Sequence, residues 1–97
     1  MLLKSILFGR ENPKWFYNDD RTNLINLRMM EGHINAIIHK RGYIYLNQIC
    51  EFLGEKWDMD WKNTCVKNSD EHRLKYIEFE VLPQPFNEYL VNILTYD

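Results

Sequence analysis

The sequence predicts a mixed α+β fold: a helical pair packed on a three-stranded antiparallel β-meander. Three observations predict it. Apolar positions in residues 22–54 recur at steps of three and four, with glycines as stops. From residue 63 onward the period changes to two. The helical segments also precede the strands instead of alternating with them, which favours α+β layering over a parallel α/β sheet.

The 97 residues fit one domain: an N-terminal extension (1–20) packing on the core, the helical pair (22–54) and the meander (63–96). A hydrophobic fraction of 45% with 27% charged residues is ordinary for a folded chain, and 14% aromatics supply large buried areas to a small core. No apolar run approaches the ~18–20 residues needed to cross a bilayer, so no membrane role is expected. The opening MLLKSILF is interrupted by Lys4 and Ser5, and no small-residue cleavage site follows. The expected address is the cytoplasm, where Cys50 and Cys65 would both remain buried thiols.

Met1–Phe8 is apolar but too short to classify by period, so strand and helical turn both stay open. Pro13 and Asn18-Asp19-Asp20 then break regular structure and offer helix caps. Trp15, Phe16 and Tyr17 lie between these signals, as rings that anchor the loop on the core.

The first long helix starts at Asp20 or Thr22 and runs to Lys40. Leu24, Leu27, Met30, Ile34 and Ile37/Ile38 form its core stripe. A second stripe, Ile25, Met29, Gly32 and Ala36, implies that the helix is covered on two sides. Met1–Phe8 is the favoured cover, and a homodimer through this face is the alternative. His39, Lys40 and Arg41 suit the helix C-terminus, and Gly42 suits the left-handed position beyond it. Tyr43–Tyr45 is extended or bridging. A short helix follows from Leu46 to Leu53, with Leu46, Ile49, Cys50 and Leu53 on one face and Gly54 as its stop.

Thr64–Lys67 is a first strand, and Asn68-Ser69-Asp70 has turn chemistry. Leu74–Leu82 is the clearest strand: Ile77, Phe79 and Val81 face one side, Tyr76, Glu78 and Glu80 the other. Pro83-Gln84-Pro85 ends it. Glu88–Thr95 is partly apolar on both sides, which predicts a central or doubly covered strand.

No residues stand out as catalytic, and the chain is read as non-enzymatic, without cofactor or metal. His33 and His39 point from different helix faces, and His72 falls in a turn. HxxxH and CxxC spacings are both missing, so zinc is not expected. Neither cysteine has a neighbour in sequence that would prepare a thiolate. Residues 1–48 carry seven Lys/Arg against four Asp/Glu, and residues 49–97 five against ten, for a net charge of −2. The segment RGYIYLNQICEFLG has the cadence of a helix–turn–helix opening, but the acidic EKWDMDW follows where a basic recognition helix should come. Nucleic acid is therefore not the expected partner.

The residues best suited to a partner are Glu51, Glu55, Trp57, Asp58, Asp60 and Trp61. Tryptophans among carboxylates could anchor an Arg/Lys-rich protein surface. The alternative is that both tryptophans clamp the crossing from helix to strand.

The signature RGYIYLNQICEFLG, WDMDWKNTCV, IEFEV and LVNILTYD resembles a family of small, uncharacterised proteins encoded by phages and prophages. The resemblance covers residues 22–97 and transfers no functional residue. It implies an accessory gene of a mobile element, whose product binds and occludes a host protein such as a defence-system component. A homodimeric assembly protein and a small DNA-binding regulator are the other two readings.

Overall fold

The structure, a computed structural model, describes residues 1–16, 20–62, 64–67 and 76–96. Its elements are β1 (Leu2–Phe8), α1 (Asp20–Arg41), β2 (Tyr43–Tyr45), α2 (Leu46–Phe52), β3 (Cys65–Lys67), β4 (Tyr76–Pro83) and β5 (Tyr89–Tyr96). Short 3-10 turns lie at Met59–Trp61 and Pro85–Asn87. The mixed α+β class is as expected.

The meander is not. A three-stranded antiparallel sheet is present, but its order is β1-β5-β4, and β3 pairs with β2 in a separate two-stranded sheet. Length explains the exchange. The eight-residue β5 finds a nearly full-length partner in the seven-residue β1, from Leu2↔Leu94 to Phe8↔Tyr89, whereas β3 has only three residues to offer. A segment paired along its length satisfies backbone groups that a peripheral cover would leave open. Residues 1–8 are therefore part of the sheet and not an extension laid over it. β5 is central, as its two-sided apolarity predicts.

One core joins the layers. Leu27, Ile34 and Ile38 of α1 meet Ile6 and Phe8 of β1, Ile77 and Phe79 of β4, and Val91 and Ile93 of β5. Ile44, Leu46, Ile49, Leu53 and Val66 belong to the same cluster. Leu24, expected in the core stripe, is exposed at the helix flank. Gly42 and Gly54 end the two helices with φ of 88° and 74°, conformations that cost other residues about 1 kcal/mol or more. Gln48 supports the entry to α2 by accepting from Tyr45 N–H at 3.2 Å and from Arg41 at 2.7 Å.

Moving β1 into the sheet uncovers the second stripe of α1. Ile25 and Met29 are more than half exposed, Gly32 and Ala36 are exposed, and a Cβ on Gly32 would meet nothing within 4 Å. Among the described residues nothing covers this side of the helix.

Four asparagine side chains tie loops and edges to this frame. Asn35 donates to Ile77 C=O at 2.8 Å and accepts from Ile77 N–H at 2.7 Å. Asn23 grips Phe16 in the same way, with both bonds at 2.8 Å. Asn47 grips Asp58, donating at 3.2 Å and accepting at 2.8 Å. Each amide offers one donor and one acceptor to a single residue, as a neighbouring strand would. Asn12 donates to Leu53 C=O at 2.6 Å and accepts from Lys14 N–H at 2.8 Å, which fixes the 9–15 loop against the end of α2.

α1 also closes an edge. The outward backbone groups of β4 at Ile77 are taken by Asn35. Those at Phe79 are taken by Glu31, which accepts from N–H at 2.6 Å, and by Arg28, which donates to C=O at 2.9 Å. The helix thus occupies positions that an intruding strand would use.

Candidate functional site

The acidic, tryptophan-bearing segment expected to meet a partner lies on α2 and the loop that follows it. Asn47 holds that loop by Asp58, and the Asp58 carboxylate accepts from Asp60 N–H at 3.0 Å, which starts the 3-10 turn. Lys4 of β1 pairs with Asp58 at 3.6 Å and lies over the Trp61 ring at 5.1 Å. The loop is therefore fastened at its middle and at its far end.

This geometry separates the six residues into two groups. Trp61 packs against the core, Asp58 is half-buried and committed to the turn, and Glu55 is half-buried with its N–H on Cys50 C=O at 2.9 Å. Glu51, Trp57 and Asp60 face solvent. Trp57 is 60% exposed, and its indole N–H donates to Glu51 at 2.7 Å, which holds the ring in place. Met59, absent from the expected set, is 78% exposed between Trp57 and Asp60. So Trp61 packs on the core, and Trp57 stands out from it.

The other chemistry-bearing residues are dispersed. The His33 ring stacks on Phe52 at 6.4 Å. His72 lies outside the described residues, as do Tyr17, the caps at Asn18 and Asp19, Asn63, the Asn68-Ser69-Asp70 turn, and the strand start at Leu74 and Lys75. Among the described residues no three His, Cys, Asp or Glu side chains gather as a metal site. Cys50 is buried, and burial pushes its thiol above the ordinary value, with Lys4 opposing. Cys65, expected to be buried, is half-exposed because β3 has only one neighbouring strand.

Two further surfaces escaped the sequence reading. The first is the face of the β1-β5-β4 sheet that α1 does not cover. Across it run the rows Leu7–Leu90–Leu82 and Ser5–Asn92–Glu80, then Leu94 beside Glu78, then Tyr96 beside Tyr76. Asn92 accepts from the Ser5 hydroxyl and donates to Glu80 at 2.8 Å. The Tyr96 hydroxyl bonds to Glu78, which raises its pKa, and its ring stacks on Tyr76 at 5.2 Å. The alternation of Leu and polar residues in β5 was visible. What stayed hidden was the strand order that lines these rows up.

The second is the β4–β5 hairpin tip. Phe86 and Asn87 have φ of 65° and 62°, and Phe86 is 76% exposed with the Arg10 guanidinium 5.7 Å from its ring. A bulky residue in this region is strained.

Comparison of the chain with family models, curated proteins and solved structures finds no match.

Proposed function

We propose that this chain is a non-enzymatic binding domain that occludes a partner protein through Trp57, Met59, Asp60 and Glu51. One observation carries the reading: a largely exposed tryptophan and methionine stand on a loop that the protein has locked, among carboxylates. An aromatic anchor already held by a hydrogen bond loses less entropy on docking, and the flanking acids select a basic surface. The resemblance to small phage and prophage proteins supplies the context. There the partner is a host factor, such as a defence component, met in the host cytoplasm.

The test is a tagged capture from host lysate treated with nuclease, comparing the wild type with Trp57→Ala/Met59→Ala and with Asp60→Lys. One stoichiometric protein retained by the wild type and lost by both variants, with melting temperature unchanged, supports the reading. Equal capture by all three removes it. Trp61→Ala and Asp58→Lys are unsuitable variants, because both residues hold the loop.

The exposure of Ile25, Met29 and Ala36 favours a second reading, self-association through α1.

A further inference from the structure

Two apolar faces have no partner among the described residues, and their charges are opposite. The outer face of α1 presents Ile25 and Met29 with Arg21 and Arg28 beside them and Lys40 about three turns further on; Arg28 is shared with Glu31 at 3.1 Å and the Phe79 carbonyl. The uncovered sheet face presents Leu7, Leu82 and Leu90 with Glu78 and Glu80. No lysine or arginine points out from that face among the described strand residues. Lys4, aligned with Ile93, belongs to the other side and is held by Asp58.

Charge decides how two copies can meet. A two-fold contact of sheet face on sheet face either stacks β4 on β4, with Glu78 and Glu80 near their own copies, or stacks β4 on β1, where Ser5 and Leu7 offer the glutamates no basic partner. A two-fold contact of α1 on α1 lays one basic face on another, with Glu31 of each copy already taken up by Arg28. Like charges brought together across a contact oppose it. A contact of α1 on the sheet of the next copy instead seats Ile25 and Met29 on the leucine row and brings the basic side chains to the glutamates. We propose that the protein self-associates in this head-to-tail manner, with the outer face of α1 docking on the open β1-β5-β4 face of a second copy.

The sheet face is small. Three strands about 4.8 Å apart and about 27 Å long give roughly 400 Å², about half of the ~800 Å² that each partner contributes to a standard interface. The association is accordingly weak, and it weakens further with salt. A heterologous contact also leaves one free face at each end, so growth beyond two copies follows unless a ring closes.

The experiment is sedimentation velocity on the full chain from about 10 μM to about 1 mM, at low and at high salt. The wild type should show a mass average that rises with concentration and falls back in high salt. Glu80→Lys should remain monomeric alone by losing the sheet face, and Ile25→Glu should do so by losing the helix face. Leu7→Lys and Met29→Glu serve as a second pair should either variant melt early. Mixed in equal amounts, the two variants each retain one intact face, so they should form a 1:1 pair that grows no further. A wild type monomeric at every concentration overturns the proposal. So does a mixture that stays monomeric, or a dimer that Glu80→Lys leaves intact.

Discussion

Asn35 satisfies both backbone groups of Ile77 with one amide. Replacing it by Asp keeps the shape and the acceptor but sets a carboxylate oxygen against the Ile77 carbonyl. The expected loss is about 1–3 kcal/mol in urea unfolding at neutral pH. Part of it should return in acid. A half-buried carboxylate facing a carbonyl has its pKa raised, and once protonated it can donate again. A penalty independent of pH would show that shape, not donation, is what Asn35 provides. Cys50 supplies a second pH dependence. Desolvation raises its folded pKa above the ordinary 9.0, so in alkali the unfolded chain releases its proton first. Stability from this group is complete below about pH 9 and declines as pH rises through the folded value. Cys50→Ala should flatten that alkaline decline, as thermal melts from neutral to alkaline pH would show. At pH 8 a thiol reagent should label the half-exposed Cys65 rapidly and Cys50 only on unfolding.

At the scale of elements, α1 both covers one face of the sheet and plugs its β4 edge. Glu31→Ala with Asn35→Ala should leave both backbone groups of Ile77 and the N–H of Phe79 open, while Arg28 keeps the Phe79 carbonyl. The expected result is concentration-dependent aggregation by light scattering, beyond what the lost stability alone produces. Restoring Asn35 alone should suppress much of it. Most elements were legible in the sequence. The α1 boundaries, α2 and its buried face, both glycine stops, and the alternation in β4 and β5 follow from spacing and local chemistry. The role of Met1–Phe8 was not legible, since a short apolar run has no decisive period and its partner lies near residue 90. From that one gap came two wrong expectations, the meander built with Thr64–Lys67 and the covered second stripe of α1. The Asn35, Asn23 and Asn47 grips were equally hidden, because an asparagine reads the same whether it holds a distant backbone or faces water. In the candidate site the sequence supplied the residues but not their orientation. Only the fold separates the solvent-facing Trp57 from the packed Trp61, and it adds Met59.

The whole molecule is held together by its first and last strands. The Met1 nitrogen donates to Thr95 C=O at 2.8 Å, and Thr95 N–H returns a bond to Met1 C=O at 2.9 Å. Both other strands of the main sheet pair with β5, and neither pairs with the other. Truncation after Glu88 should therefore cost far more than one strand. The shortened chain should show no cooperative melt by circular dichroism, although α1 and α2 remain intact in sequence. A retained cooperative transition would mean that α1, β2, α2 and β3 form a stable unit alone.

Translation gives the central position of β5 a temporal meaning. The ribosome delivers β1 before and β5 after the other described strands, so the three-stranded sheet cannot close gradually as the chain emerges. β1 must wait without its strand partner through the synthesis of some eighty residues. During that interval the nascent chain is a client for any factor that shelters exposed apolar strands. A premature stop codon late in the gene, anywhere before Tyr89, would leave the same unpaired state permanently.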